Sequence, residues 1–377
     1  MRQHIASPGG PVCLAVVIAA AGLSLAVAQV GSPQATNASS APERSPTMGE
    51  TPLDRSPRLV GTLLLPDELL WSFDVPCKTD STLVLAAGTG GVVEINRSGK
   101  ILATLLSAGN GRDQLWMATR VGVSDELLVA AAPRHSALFL HPGSPGAVQP
   151  RDYAGVLDVD VRGGTALVLG ARWDAAGRWA PDGAMAWIDD GRSDPKPVHY
   201  SEAGPNSMVV SWGGPLDLGA VRILDDGSLM VVPGLEGGVY QYSPGGRLLR
   251  SWQSIEIGVA EGCSLEPDER SDVAAGMGPR WRYWNQNLIV DDVVSWQGKP
   301  ALLVRRPAGG RTEWELRVLD ADSAPQTVRL PVSSTSSRTR ARMDLRGSQV
   351  AVLLHESGHL DETPAFQPRI LFLEMDP

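Results

Sequence analysis

A four-strand unit that recurs along the chain constrains its fold more than any other feature. The clearest copy is Leu218–Ile255. It reads as a strand at Ala220–Leu224, a tight turn at Asp225-Asp226-Gly227, and an apolar run at Leu229–Val232. A Gly-rich break at Gly234–Gly238 follows, then an alternating strand at Val239–Tyr242, a Ser243-Pro244-Gly245-Gly246 turn and a closing strand at Arg247–Trp252. Asp-Gly and Pro-Gly pairs between β-rich runs mark hairpins, because glycine accepts the positive φ that tight turns require. A lone meander of four strands cannot bury both of its faces, so the unit must stack against further copies.

Six copies can be followed from Arg58 to the end. The second strand recurs as Leu83–Ala86, Leu127–Ala130, Leu167–Gly170, Leu229–Val232, Leu302–Arg305 and Val350–Leu353. The third recurs as Val92–Ile95, Ala137–Leu140, Met185–Ile188, Val239–Tyr242, Leu316–Leu319 and Ile370–Leu373. Short apolar runs bounded by turn residues suit sheets covered on both faces. The sixth copy ends at Ile370–Glu374 without a fourth strand, while an unassigned strand, Leu59–Leu65, precedes the first copy. Pairing of that strand as the outer strand of the last copy would close a ring and remove the open sheet edges. The expected fold is all-β: one six-bladed β-propeller over residues 58–377, closed by an N-terminal strand that completes the last blade.

Ile223–Leu249 resembles one blade of the NHL and TolB-like six-bladed propellers. Its "DDGSLMVV…GGVYQYSPGGRLL" is similar to the family's Asp-Gly turn, apolar strand, aromatic third strand and closing glycine. Asp80–Leu102 is similar to a lesser degree. Pro233 and Gly234 stand where that family usually carries Asp and Asn after the second strand. The resemblance implies a fold and no particular activity, since propellers host scaffolds, receptors and hydrolases alike.

Met1–Ala28 has the layout of a secretory signal: Arg2 and His4, an apolar run at Val12–Ala26, then Ala26-Val27-Ala28 as a cleavage context. Residues 29–57 are rich in Ser, Pro, Ala and Thr and read as a disordered tether. The expected location is secreted or periplasmic, with no membrane span after signal cleavage; the alternative is an uncleaved leader kept as an anchor. A formal net charge of −9 argues against nucleic acid as a partner.

In a propeller, loops between second and third strands share one face with the connections between blades. Here that face should carry the long segments Ala171–Gly183, Ser201–Leu216, Gln253–Gln286, Arg305–Glu313 and His355–Gln367. The opposite face should carry compact turns. The candidate ligand- or partner-binding residues are therefore Arg134, His135, Trp173, Trp179, Trp212, Arg280, Trp281, Trp284, His355 and His359. Trp and Arg are the side chains that most often anchor interfaces. Residues 253–286 form the longest insertion, in which Arg280-Trp281-Arg282-Tyr283-Trp284 can stack on a sugar or peptide.

His355-Glu356-Ser357-Gly358-His359 matches H-E-x-x-H, a zinc motif that works only on a helix. The strand pattern of Val350–Leu354 and the glycine at 358 argue for a strand and loop instead. A weaker metal site from His135, His355, His359 or Asp361 remains an alternative. Asp158 and Asp160, and Asp291 and Asp292, fall on inner strands, as solvated channel walls or as a calcium or acid–base site. Outside the leader the cysteines are Cys77 and Cys263; the blade assignment places them too far apart for a disulfide unless the long insertion folds across the channel. No strong catalytic constellation and no cofactor motif is present. The expected function is non-catalytic binding of a protein, peptide or glycan through the long-loop face; the alternative is a lactonase- or lyase-like propeller enzyme with a metal at the channel mouth.

Overall fold

The computed structural model describes residues 57–374 except 70–71, 89, 110, 112–113, 116, 133–136, 143–147, 152, 154–155, 174–178, 201–218, 234–237, 260–285, 322, 337–338, 347–348 and 357–366. The leader and tether expected at 1–57, apart from residue 57 itself, and Cys263 lie outside the described residues. So do Arg134, His135, Trp212, Arg280, Trp281, Trp284 and His359. Among the described residues no helix is long and apolar enough to cross a membrane.

The chain begins with strand β1 (Arg58–Leu64). The first blade then contains β2 (Thr82–Ala86), β3 (Val92–Asn96) and β4 (Ile101–Leu106). The second holds β5 (Arg120–Val123), β6 (Leu128–Ala131), β7 (Ala137–Leu140) and β8 (Val148–Arg151). The third holds β9 (Val156–Arg162), β10 (Thr165–Trp173), β11 (Trp179–Asp189) and β12 (Lys196–Tyr200). β13 (Ala220–Ile223), β14 (Leu229–Val232), β15 (Gly238–Tyr242) and β16 (Leu248–Gln253) make the fourth. The fifth comprises β17 (Ile289–Trp296), β18 (Lys299–Ala308), β19 (Arg311–Val318) and β20 (Gln326–Ser334). The last contains β21 (Thr339–Arg346), β22 (Gln349–Glu356) and β23 (Arg369–Glu374), with β1 hydrogen-bonded beside β23 in the order β1-β23-β22-β21.

The molecule is a six-bladed β-propeller, and each expected second and third strand falls on one of these strands. β1 runs antiparallel to β23, from Arg58 opposite Glu374 to Leu64 opposite Arg369. The first blade lacks a regular inner strand. Asp74 and Cys77 supply it as isolated bridges to Ala86 and Leu83, and Val84 N donates to Pro76 O at 2.9 Å.

Six apolar clusters sit between successive blades. One joins Leu83, Leu85 and Ile95 of the first blade to Ala351, Leu353 and Ile370 of the sixth. Another packs Trp314 and Leu316 of the fifth blade against Ala341, Val352 and Leu371 of the sixth. Each second strand contributes to the junctions on both sides of it, which is why these strands read as unbroken apolar runs.

Strand continues into two of the expected long segments. β10 continues to Trp173 and β11 begins at Trp179, and the two residues are paired across the ladder beyond a bulge. Arg305–Glu313 is likewise a hairpin: β18 runs to Ala308 and β19 starts at Arg311, around Gly309 and Gly310 with φ of 54° and 85°. Two successive positive φ angles produce the two-residue turn that matches strand twist, so the ladder carries on where loop composition suggested a break.

Candidate functional site

The innermost strand of each blade is an edge of its own sheet, so its outward N–H and C=O groups need partners that the sheet cannot supply. Side chains from the preceding blade meet that need at all six junctions. Asp74 accepts from Val121 N at 3.0 Å, joining the first blade to the second. Arg120 Nε donates to Leu157 O at 2.8 Å, from the second to the third. Asp158 and Asp160 accept from Val221 N at 2.9 Å and Ile223 N at 2.7 Å, from the third to the fourth. Arg222 Nε donates to Val293 O at 2.9 Å, from the fourth to the fifth. Asp291 and Asp292 accept from Ala341 N at 3.1 Å and Met343 N at 2.9 Å, from the fifth to the sixth. Asp344 accepts from Cys77 N at 2.7 Å and returns the circuit to the first blade. Carboxylates serve backbone donors and guanidiniums serve backbone acceptors, each by its own hydrogen-bonding inventory.

The same side chains pair with one another across the axis. Arg342 lies 3.5 Å from both Asp158 and Asp292, and Arg120 lies 3.5 Å from Asp158. Arg222 reaches Asp344 at 2.8 Å and Asp160 at 3.4 Å. At the centre of this group the free volume is only about 20 Å³, room for a water molecule and not for a substrate. The expectation of solvated walls or a calcium site is corrected for Asp158, Asp291 and Asp292; Asp160 is only partly buried and, with Arg222 and Asp344, also lines a cavity of about 350 Å³ at the compact-turn end of the axis. Asp158, Asp291 and Asp292 are buried, and all four carboxylates are taken up in joining blades.

Charge on the axis is unequal. Asp74, Asp158, Asp160, Asp292 and Asp344 face Arg120, Arg222 and Arg342. Burial raises Asp74, Asp158 and Asp292 above the usual carboxylate range, against the pull of Arg342. Burial likewise takes Asp160 up to about 6, opposed by Arg222 and assisted by Asp344. The Arg222 guanidinium moves in the charge-favouring direction: burial pulls it down, but Asp160 and Asp344 outweigh that cost. The two shifts are compatible because one guanidinium is shared between two carboxylates, so the arginine stays charged while Asp160 holds its proton longer.

Nearer the long-loop end, a second buried group ties the fifth blade to the sixth. Asp291 accepts from Trp314 Nε1 at 2.8 Å and Arg340 Nε at 2.5 Å. Burial, opposed by Asp291 and reinforced by Arg340, brings Arg305 down to about 10. His355 belongs to this layer: it is buried on β22 opposite Arg340, with the Phe73 ring edge-on at 5.7 Å. Its strand placement, shared with Glu356, leaves the first half of the H-E-x-x-H match without the helix that zinc binding would need.

Of the candidate binding residues, Trp173 and Trp179 are cross-strand partners in the β10–β11 ladder, and His355 is buried on β22. The structural arginines Arg120, Arg222, Arg340 and Arg342 were missed at the sequence level. Their signal was present as charges at every second residue in strands otherwise apolar, as in Asp158-Val159-Asp160 and Arg340-Ala341-Arg342-Met343-Asp344. Cys77 is a free thiol, raised well above its ordinary range by burial and by Asp344.

These features define a propeller whose axis is closed by ionic stitching. No family model and no curated protein matches the chain. Among solved structures it is similar to a gluconolactonase from Xanthomonas campestris, at 13% identity over 88% of this chain and 99% of that one, with a TM-score of 0.47. The PQQ-bound aldose sugar dehydrogenase of Streptomyces coelicolor aligns at 11% identity over 86% and 99%, TM-score 0.46. Hydrazine synthase of Kuenenia stuttgartiensis aligns at 13% identity over 77% and 78%, TM-score 0.46.

Proposed function

We propose that this chain is an exported, non-catalytic propeller that binds a protein, peptide or glycan through its long-loop face. The observation that carries the reading is the commitment of the axial carboxylates to the backbone of the neighbouring blade around a void of about 20 Å³. A propeller enzyme working at its axis needs carboxylates or histidines free to meet a substrate. Here those groups hold the ring closed, and His355 is buried beneath the surface. For recognition we favour the loop face, where the sequence concentrates Arg280, Trp281, Trp284 and Trp212. The leader at Met1–Ala28 and the tether at 29–57 would place the propeller outside the cytoplasm, held or released by a flexible stalk.

The test is affinity capture from the envelope and medium of the native host, using the mature chain and an Arg280→Ala/Trp281→Ala/Trp284→Ala variant as baits. A partner retained by the first and lost by the second supports the reading. Specific turnover on lactone, ester, glycoside or sugar-oxidation substrates would overturn it.

A further inference from the structure

A cavity at the other end of the axis, on the compact-turn face, is independent of that reading. It has a volume of about 350 Å³, and all six blades line it, from Pro76 of the first to Leu345 of the last. That size falls at the small end of ligand sites. The charged lining balances, with four cationic side chains and four carboxylates. The two signs are separated by depth.

The deep tier is Asp160, Arg222 and Asp344, whose side chains are 14%, 16% and 18% exposed. One guanidinium here serves two carboxylates. Asp344 is well bonded: Oδ1 accepts from Arg222 Nη1 at 2.8 Å and Oδ2 from Cys77 N at 2.7 Å. Asp160 is bonded less fully. Its Oδ2 accepts from Ile223 N at 2.7 Å, but its Oδ1 has only Arg222 Nη1, at 3.4 Å. A nearly enclosed carboxylate oxygen with so long a bond, beside a cavity, is where a ligand N–H gains most. The shortage of positive charge shows in Asp160 keeping its proton up to about 6, through burial and against the pull of Arg222.

The tier nearer the mouth has the opposite balance. β9 ends Asp160-Val161-Arg162 and β21 ends Asp344-Leu345-Arg346. On two blades that face each other across the ring, an arginine therefore follows the deep aspartate by two residues, about 6–7 Å of strand. Both guanidiniums are 46% exposed. Arg162 meets the open Asp225 at 3.0 Å, while Arg346 donates to Lys78 O and lies 3.7 Å from Asp80, which is 82% exposed. Surface pairs of this kind are worth little, so either guanidinium can turn to a ligand carboxylate. Lys78 joins them against Asp125 and Asp225, which makes the rim net positive where the floor is net negative. A lone anion would find carboxylates beneath it, and a lone cation would have to pass the guanidiniums above. Among the described residues no three His, Cys, Asp or Glu side chains converge as a metal would require.

We infer that this axial cavity binds a small zwitterion, its ammonium set against Asp160 on the floor and its carboxylate against Arg162 and Arg346 at the rim.

The experiment is calorimetric titration of the full chain with 5-aminopentanoate, which carries an ammonium and a carboxylate at the two ends of a short methylene chain. Pentylammonium and pentanoate, with one charge each, run in parallel. The zwitterion should bind saturably at one site, and each single-charge probe at least about tenfold more weakly. Arg346→Gln, at an exposed side chain, should weaken 5-aminopentanoate about tenfold and leave the weaker pentylammonium binding unchanged. Asp160→Asn, which keeps an acceptor for Ile223 N, should weaken both amines about tenfold. Absence of saturable 5-aminopentanoate binding overturns the assignment. So does equal binding of either single-charge probe, or zwitterion binding that Arg346→Gln or a folded Asp160→Asn leaves unchanged. Where Asp160→Asn fails to fold, Arg346→Gln decides alone.

Discussion

The innermost and outermost strands of this propeller reverse the usual placement of charge and grease. β9, β13, β17 and β21 bury Asp158, Asp291, Asp292, Arg340 and Arg342 and nearly enclose Asp160, Arg222 and Asp344. On the periphery, β1 exposes Leu59, Val60 and Leu64, β4 exposes Ile101 and Leu102, and β16 exposes Leu248 and Leu249. The difference follows from hydrogen-bonding supply rather than from polarity. An inner strand must satisfy its free backbone edge away from bulk water, so it recruits ionic side chains that carry donors or acceptors. An outer strand has water along its free edge, and its side chains are under weaker constraint.

Substitutions at the axis should have the largest effects. Asp292→Ala strands Met343 N–H and removes a partner of Arg342, and should destabilise the chain by about 3–5 kcal/mol in urea titrations. Arg222→Ala leaves Asp160 and Asp344 without their shared cation, with a cost of similar size. A loss below about 1 kcal/mol at either position would show that the axis is better hydrated than the stitching implies.

An intermediate effect is expected from pH. A carboxyl whose folded pKa lies above its unfolded value stabilises the fold at low pH and withdraws that stability as pH rises. For Asp160 the contribution is full below about pH 4 and gone once pH passes about 6. Asp74, Asp158 and Asp292 act in the same direction. Asp160 alone should contribute about 1–2 kcal/mol more at pH 5 than at pH 7, while His199, which burial brings down to about 4, acts in the opposite sense; the slope of the unaltered chain should therefore fall by that Asp160 share in Asp160→Asn. Urea midpoints of the chain and of Asp160→Asn at the two pH values decide it; an identical pH slope in the two proteins would contradict the axial assignment.

On the periphery, Leu102→Thr and Leu249→Thr should change stability by no more than about 0.5 kcal/mol, since the side chains are half in water already. The smallest effect belongs to a turn. Gln297 adopts φ of 51° before Gly298 at 77°, a conformation that asparagine or glycine holds with less strain. Gln297→Asn should raise the melting temperature slightly.

The blade pattern was legible because it is local: apolar runs of four to six residues and turns such as Asp225-Asp226-Gly227 repeat with the strand period. The strand ends at 171–173 and 179–183, and the hairpin at 305–313, were read as loops because their residues lack apolar alternation, while cross-strand pairing carried the ladder onward. The axial network was visible as alternating charge on inner strands, yet its partners are distant in the chain: Asp344 and Cys77 are separated by 267 positions. Spacing along the sequence holds no record of such a pairing.

By itself, then, the amino-acid order settled how many blades there are and which runs become second and third strands, since hydrophobic periodicity and turn chemistry act over a few residues. Tertiary structure alone decided that the carboxylates at 158, 160, 291 and 292 join blades, three of them buried. It also placed Asp160, Arg222, Asp344 and Arg346 around one cavity. Both outcomes depend on closure of the ring, which brings edges from six separate sheets to a common axis and leaves each backbone group there to find a partner on the next blade.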